Sequence, residues 1–346
     1  MSLSKPTIFD VAKLAGVSIK TVSRVVNREP NVRSTTKERV EKAVAELNYR
    51  PDQSARNLAS HRSHLIGLVY DDPAAYELPS SGYIIRMQQG ALQGCRSTLC
   101  ELLIHPCNFR RKSVVAELTT LIKETRLAGI VLAAPLSNMQ KIVRAIEATK
   151  TPLVRLSPGQ QQVKQLSVAT NDREVTAEMT RYLAGLGHSR IAYITGDPDH
   201  KAVGNRFLGY KDGLRDSGLK FSAQLVVAGD NSFGSGERAA AKLIGRKTRP
   251  TAIIAANDDM AVGAMRTAHR LGVEVPWQLS IAGFDDITLS QQMDPPLTTV
   301  RQPLVRMAER AVLMLARNNG KDTASTAHEI VPAEIKIRES TGPAPA

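Results

Sequence analysis

Apolar side chains recur at helical spacing on either side of one glycine near the start of the chain. Val11, Leu14 and Ala15 precede Gly16, and Val22, Val25 and Val26 follow it, so each set lines one face of a short helix and the two helices meet at a tight turn. Thr7 stands where an N-cap is needed, with Asp10 supplying the acidic half of a capping box. Gly16 ends the first helix because a left-handed turn is cheapest at glycine, and Ser18 caps the second, expected over Ile19 to Asn27. With the valines turned inward, Ile19, Lys20, Ser23 and Arg24 project from the other side. A third helix is expected over 35–48, where Val40, Ala43, Val44 and Leu47 follow the i, i+3, i+4, i+7 pattern, with Pro51 as its stop. Three such helices enclose a minimal core.

From His64 the pattern changes to short apolar runs separated by helical stretches. Residues 65–69, 99–104, 129–134 and 152–156 read as buried strands, with helices near 83–97, 113–126 and 138–149 between them. A second set at 191–194, 225–227, 252–256 and 279–282 alternates with helices near 173–186, 205–217, 234–246 and 259–271. Buried strands joined by crossover helices form parallel sheets, here in two similar halves. The apolar run at 297–301 and the helix at 303–317 come after both sets, so the chain is expected to cross back between the halves.

The chain has 346 residues, 42% of them apolar, which suits two to three ordinary globular domains. Its net charge of +13 is unevenly spread: residues 1–62 hold 12 Lys and Arg against 6 Asp and Glu, a charge density about four times that of the remainder. A dense positive patch on a helical unit favours the phosphate backbone of nucleic acid through counterion release. Cys95, Cys100 and Cys107 form an odd set without a C-x-x-C pair, which reads as buried thiols in a reducing compartment. His105 beside Cys107 is the one spacing that would admit a metal ligand set, and no metal site or cofactor is expected from it. No apolar run has the length of a membrane span and the N-terminus has no signal-peptide character, so the expectation is a cytoplasmic protein.

The stretches Asp-Val-Ala-Lys-Leu-Ala-Gly-Val-Ser-Ile-Lys-Thr-Val-Ser-Arg-Val-Val-Asn at 10–27 and Leu-Asn-Tyr-Arg-Pro-Asp-Gln-Ser-Ala-Arg-Asn-Leu-Ala at 47–59 resemble the headpiece and hinge of the lactose repressor/galactose repressor family of bacterial transcription regulators. The resemblance implies an all-α helix-turn-helix headpiece over 1–50 and a hinge helix over 51–61. An α/β periplasmic-binding-protein-like body would follow over 62–338, with a flexible tail at 339–346. Within the body, the N-subdomain would comprise 62–169 plus 302–331 and the C-subdomain 170–301 plus 332–338. It implies as partners double-stranded operator DNA, a second copy of the chain, and a small effector of sugar or glycoside type. Ile19, Lys20 and Arg24 would read base edges, and Thr7, Ser18, Thr21, Ser23, Asn27, Thr36 and Tyr49 would touch phosphates. In the hinge, Leu58 would wedge into a central minor-groove step beside Ala55, kinking the duplex. Two departures stand out: Asp52 where the family usually has Asn, and Arg33 where a Ser commonly caps the third helix.

The resemblance extends into the body, through Gly204-Asn-Arg-Phe-Leu-Gly-Tyr210, Ala255-Ala-Asn-Asp-Asp-Met260 and Gly283-Phe-Asp-Asp286. By it, Arg206, Asn257 and Asp285 would clamp ligand hydroxyls, Asp71 and Ser157 would join from the first half, and Tyr83 would offer a ring face. Asn231 occupies a place often held by an aromatic, which removes one stacking platform. The bland readings remain beside these: Asn257 and Asp258 suit a helix cap, and Asp285-Asp286 a turn.

An enzyme reading would start from Gly234-Ser-Gly-Glu-Arg-Ala239, which matches a dinucleotide fingerprint but lacks the acid that should follow. No Ser-His-Asp set or phosphate loop is evident, so no catalysis is expected. Two regulatory readings remain. A sugar-like inducer releases a homodimeric repressor of a catabolic operon, or a nucleobase, nucleoside or protein partner tightens DNA binding by a corepressed or global regulator. The segment 338–346 has no heptad repeat, so a dimer is expected rather than a tetramer held by a coiled coil.

Overall fold

Asp10 closes the first helical turn. In the computed structural model, its carboxylate accepts the Thr7 N–H at 2.8 Å and the Thr7 hydroxyl at 2.7 Å, and α1 (Ile8–Ala15) begins there. The structure describes residues 6–26, 32–49, 64–71, 82–159, 165–317 and 327–345. The chain divides into two compact units, Met1–Ser63 and His64–Ala346.

In the first unit Gly16 takes a left-handed φ of 60°. The Ser18 hydroxyl then caps α2 (Ile19–Val26), accepting the Thr21 N–H at 3.2 Å. Asn27, the expected end of α2, lies outside the described residues, as does the hinge at 51–61. α3 (Ser34–Glu46) stops well before Pro51. Asn48 turns left-handed at φ 47°, and the Tyr49 N–H bonds the Val44 carbonyl at 3.0 Å. Tyr49 and Val44 both pack on the three-helix core, which completes a Schellman-type stop made by Asn48 rather than by proline. Arg33 makes no side-chain cap bond; its carbonyl accepts the Thr36 and Lys37 N–H groups. One core position differs from expectation. Ile8, Val11, Ala12 and Ala15 form the i, i+3, i+4, i+7 stripe of α1, and Leu14 falls off it, 47% exposed.

In the second unit, β1 (Leu65–Asp71), α4 (Gly82–Thr98), β2 (Glu101–Cys107), α5 (Val114–Thr125), β3 (Gly129–Leu132), α6 (Gln140–Ala148), β4 (Leu153–Leu156) and β5 (Leu166–Ala169) build the first half. The second half comprises α7 (Asp172–Gly185), β6 (Ile191–Thr195), α8 (Lys201–Asp216), β7 (Val226–Ala228), α9 (Phe233–Ile244), β8 (Ala252–Ala255), α10 (Asp258–Arg270), β9 (Ser280–Ala282) and the short α11 (Thr288–Gln292). β10 (Thr299–Arg301) leads to α12 (Leu304–Arg317), β11 (His328–Ile330) and β12 (Glu334–Lys336). The first sheet has the order β11-β5-β4-β3-β1-β2 and the second β7-β6-β8-β9, parallel throughout, while β10 and β12 pair antiparallel. α12 rejoins the first half, where Leu304, Met307, Ala311 and Leu315 share a core with Ile66, Leu68 and Val154. Among the described residues no helix is long and apolar enough to cross a membrane.

β2 begins at Glu101, not Leu99. Leu99 has φ 56° and ends α4 while the Cys100 N–H bonds the Cys95 carbonyl at 2.9 Å. An apolar residue used as a helix terminator is 72% exposed and mimics the start of a strand in the sequence. β5, β11 and β12 were not expected from the sequence; β11 and β12 carry a single apolar residue each, Ile330 and Ile335. His105 bonds Glu117 at 2.9 Å. Burial pushes the Cys95 and Cys107 thiols up to about 12, which leaves them unreactive.

Candidate nucleic-acid interface and ligand cleft

α2 buries Val22 and Val25 and leaves Ile19 40% exposed. Ser18, Lys20 and Arg24 are exposed as well, and Thr21 and Ser23 are half-buried. Lys20 and Arg24, four residues apart, stack on one side of the helix, so a long cationic pair and an apolar tip share one helix face. The Ser18 hydroxyl lies 2.9 Å from that of Thr21. Thr36 and Tyr49 are half-buried, and Tyr49 packs against the core that holds α3. Thr7 is exposed, but both its backbone N–H and its hydroxyl donate to Asp10. A phosphate contact from Thr7 therefore requires that one of these bonds be exchanged. Asn27, Ala55 and Leu58 lie outside the described residues.

In the body, the sequence-predicted ligand residues lie at or beyond the carboxyl ends of parallel strands, where open α/β sheets bind their ligands. Arg206 is the centre, 4% exposed on α8. Its Nε donates to Asp172 at 2.8 Å and its Nη1 to the Ala256 carbonyl at 2.6 Å, with Asp285 3.7 Å from Nη1. The guanidinium carbon lies 3.7 Å from the Phe284 ring centroid, so the cation is held by two carboxylates and an aromatic face. Asp285, at φ 125°, accepts a hydrogen bond from the Gln302 amide. Its burial, opposed by Arg206 and Gln302 and reinforced by Asp259 and Asp172, pushes its carboxyl up to about 7. Tyr83 belongs to the first half, yet its phenol feels this cluster: burial first, then Asp285, raises it well above the usual range, with Arg206 opposing. The structure thus brings Arg206 and Asp285 together, with Tyr83 within reach of their charges.

Asn257 and Asn231 serve the architecture of the same wall. The Asn257 Oδ1 caps α10 by accepting the Met260 N–H at 3.0 Å, and its Nδ2 donates to the Asn231 carbonyl at 2.9 Å. Asn231, left-handed at φ 70°, accepts the Asp197 N–H at 3.3 Å. Gly196 fits beside it because a Cβ there would come within 2.1 Å of the Asn231 Oδ1. In the first half, Asp71 accepts the Phe109 N–H at 3.2 Å, and Ser157 is buried at φ 47°. Asp286 pairs with Arg301 and Arg338 rather than with Arg206. Burial would raise its carboxyl, but bonds from Arg338 and Arg301 outweigh that and hold it below the usual range.

Several participants escaped the sequence reading. Asp172 opens α7 immediately beyond β5, the strand that went unread, and Gln302 follows β10. Asp258, read from the sequence only as a helix cap, is fully buried, accepts the Ile287 N–H at 2.9 Å and bonds the Thr299 hydroxyl; burial pushes it up to about 8. Contacts join the two halves directly. Arg110 pairs with Asp197 at 2.7 Å, and the Asn205 amide donates to the Gly159 carbonyl at 3.1 Å.

Residues 7–52 match the profile of bacterial regulatory proteins of the lacI family, and residues 180–341 match a periplasmic binding protein-like domain. The chain is 32% identical over 342 residues to the HTH-type transcriptional regulator DegA of Bacillus subtilis (strain 168), covering 98% of this chain and 99% of that protein. The chain belongs to the LacI family. A second relative, the HTH-type transcriptional regulator GalR of Escherichia coli (strain K12), is 34% identical over 318 residues, 90% of each chain. Among solved structures, a lac repressor dimer bound to operator and the anti-inducer ONPF superposes with a TM-score of 0.77 at 28% identity, covering 98% of this chain and 100% of that one. A complex of the transcriptional regulator CelR with cellobiose superposes with a TM-score of 0.75 at 26% identity, covering 97% and 99%. This LacI-family protein is accordingly a DNA-binding transcriptional regulator, and its relatives are regulators, not enzymes.

Proposed function

We propose that this LacI-family regulator is a cytoplasmic homodimeric repressor of a catabolic operon. It binds a pseudo-palindromic operator and is released when a small sugar-like inducer enters the cleft of the body. The observation that carries the effector reading is the buried Arg206–Asp172–Asp285 set beyond the strand ends of the second half, whose charges reach Tyr83 of the first half. A sugar offers vicinal hydroxyls, which carboxylates accept and a guanidinium donates to, and a C–H face that lies on a ring. The lac repressor dimer on operator and the CelR–cellobiose complex support the dimer and the ligand class by likeness. On the DNA side, Ile19, Lys20 and Arg24 read base edges, each good bidentate pairing with guanine being worth about 1–3 kcal/mol of discrimination. Ser18, Thr21, Ser23, Asn27, Thr36 and Tyr49 touch phosphates, Thr7 joins them if it exchanges an Asp10 bond, and Ala55 and Leu58 meet the minor groove. Closure of the body on the inducer moves its N-terminal portions relative to each other within the dimer and takes the paired hinges at 51–61 out of register.

The test begins by selecting DNA from a random pool with the full chain, which should return two inverted half-sites. Titrating mono- and disaccharides, and separately nucleobases and nucleosides, into a shift assay on that DNA then reads the sign of the coupling. Lower DNA affinity with a saccharide is expected, and linkage requires the saccharide to bind the DNA complex more weakly by the same factor. Tightening by a nucleobase, with no saccharide effect, overturns the inducer reading. Retained operator binding after removal of residues 1–61 overturns the headpiece assignment.

A further inference from the structure

The turn that ends α4 carries two sulfurs. Leu99 takes a left-handed φ of 56°, and the Cys100 N–H reaches back to the Cys95 carbonyl at 2.9 Å. A bond of this reach marks a Schellman stop, in which the side chains at the two ends of the turn come against each other. It also bounds their separation. One carbonyl, one hydrogen bond and one N–Cα bond leave the two Cα atoms no more than about 6.8 Å apart, which is as far as a disulfide ordinarily spans. Cys95 shares the core of the first half with Val312 and Leu315, and Cys100 packs on the edge of that same core. The end of α4 has no freedom to drift, since a Cβ on Gly94 would come within 2.8 Å of the Val312 Cβ on α12. Cys107 stands at the other end of β2 from Glu101, about 20 Å along the strand, with its sulfur 3.6 Å from the Tyr70 carbonyl. Of the three cysteines, only Cys95 and Cys100 are neighbours.

We propose that Cys95 and Cys100 form a redox site, in which a peroxide converts the two thiols into an intrachain disulfide and a dithiol reductant restores them. In a reducing compartment such a bond is transient and redox-sensing rather than structural. Exposure divides the roles. Cys100 is half-buried, whereas Cys95 is buried, and burial first, then Cys100, pushes the Cys95 thiol up to about 12. Cys95 is therefore inert toward a dissolved oxidant. Cys100 reacts first: its thiolate takes one hydroxyl of hydrogen peroxide, the O–O bond breaks, and the departing hydroxide recovers as water the proton that Cys100 gave up. The product is a sulfenic acid. The Cys95 sulfur then attacks that of Cys100; the S–S bond forms as the S–O bond breaks, and the second hydroxide leaves as water with the Cys95 proton. Two thiols and one peroxide give one disulfide and two waters, each sulfur losing one electron and the peroxide gaining two. Contact replaces acidity in the second step, because a sulfur held beside its target reacts as an intramolecular partner. Cys107 is equally buried and has no such neighbour. The cross-link would fix Leu99 and the passage from α4 into β2, the edge strand of the first sheet.

The reduced full chain is exposed to hydrogen peroxide, its remaining thiols are alkylated in denaturant, and its tryptic peptides are mapped by mass. Arg96 lies between the two cysteines, so cleavage there leaves their peptides joined only through sulfur. The joined pair should be lighter by two hydrogens than its separate thiol forms and should part on treatment with dithiothreitol, with Cys107 still alkylated. Cys107→Ser should form the same link, and Cys100→Ser should leave Cys95 reduced. Cys95→Ala, stripped of the resolving thiol, should accumulate Cys100 sulfinic acid about tenfold above wild type. Melting of each reduced variant establishes that it is folded. A cross-link that persists in Cys100→Ser overturns the proposal, as does a disulfide between two chains on a non-reducing gel. So does Cys100 sulfinic acid in the wild-type chain with Cys95 still alkylated, or survival of both thiols at a peroxide concentration that oxidises free cysteine.

Discussion

Arg206 pairs with two buried carboxylates, and its charge opposes the burial that raises both. Removing one partner of a buried ion pair strands the other charge and costs about 3–5 kcal/mol, and Arg206→Ala strands both Asp172 and Asp285. The variant should therefore unfold at lower urea. Adding Asp172→Asn to it should recover part of the loss, which a double-mutant comparison of urea midpoints checks. An effector-response assay on Arg206→Ala is interpretable only beside that melt. Asp285 carries a pH dependence of its own. Its carboxyl is raised from an unfolded value near 3.8 to about 7, so between those values the folded state binds more protons and stability falls as pH rises. Each unit of that shift is ~1.4 kcal/mol. Wild-type stability minus that of Asp285→Asn should accordingly decline from pH 4 to pH 7 and stay level above pH 8. A difference that grows with pH in calorimetry would mean that the carboxylate is stabilised by Arg206 more than burial penalises it. Residue type was legible here for Arg206 and Asp285, through motif likeness. Their partner Asp172 was not, because nothing local in Asn171-Asp172 distinguishes a helix-opening acid from one that grips a guanidinium 34 positions away.

At the level of elements, periodicity located the helices to within a few residues, and chemistry at their ends decided the rest. Asn48 ends α3 and Leu99 ends α4 in left-handed conformations that neither residue advertises, whereas Gly16 does so openly. The strands β11 and β12 were missed because each sets one isoleucine, Ile330 or Ile335, among polar residues and leaves no apolar run to read. The crossing of α7 and α8 shows what a sequence withholds about packing. A Cβ on Gly209 would lie 2.2 Å from the Arg173 carbonyl oxygen, and one on Gly213 would lie 2.6 Å from that of Ala177. The two glycines, four residues apart, form the groove in which α7 lies. Because α7 carries Asp172 and α8 carries Arg206, the same close approach sets the buried ion pair. Gly209→Ala has no flexible neighbour to displace and must part the helices, at a cost of about 1–3 kcal/mol for an overpacked contact. It should also weaken effector binding, since the separation of the two helices is the separation of the two charges. Urea melts and effector titration of this one variant should fall together; a melt that shifts while effector affinity holds would uncouple the crossing from the site. Gly16→Ala, by contrast, meets no atom within 4 Å. It costs only the left-handed strain of about 1 kcal/mol, and operator affinity should fall while the body melts as before.

The body as a whole is built from two parallel sheets, and specific contacts join the halves, Arg110 to Asp197 and Asn205 to Gly159. The alternation of apolar runs with helical stretches made the two halves and the return of the chain through α12 readable. The seam was not readable, because Arg110 and Asp197 lie 87 positions apart and neither belongs to a recognisable pattern. Their worth is also modest. Arg110 is 66% exposed, and an exposed pair contributes about 0–1 kcal/mol, so Arg110→Ala should change effector affinity by no more than about fivefold. Gly159 is the stronger lever. It has φ 70°, and any side chain there runs into the Cβ and backbone of Lys201 on the opposite half. The neighbour is a helix start rather than the tip of a long side chain, so the collision is relieved only by opening the seam. Gly159→Ala should therefore leave both sheets and their cores intact while it holds the halves apart. Small-angle scattering should give a larger radius for the variant with its effector than for wild type with its effector, and calorimetry should give an affinity reduced well beyond the Arg110→Ala effect. Identical radii and affinities would mean that the effector is gripped without closure. The route from ligand to hinge would then have to run through one half alone.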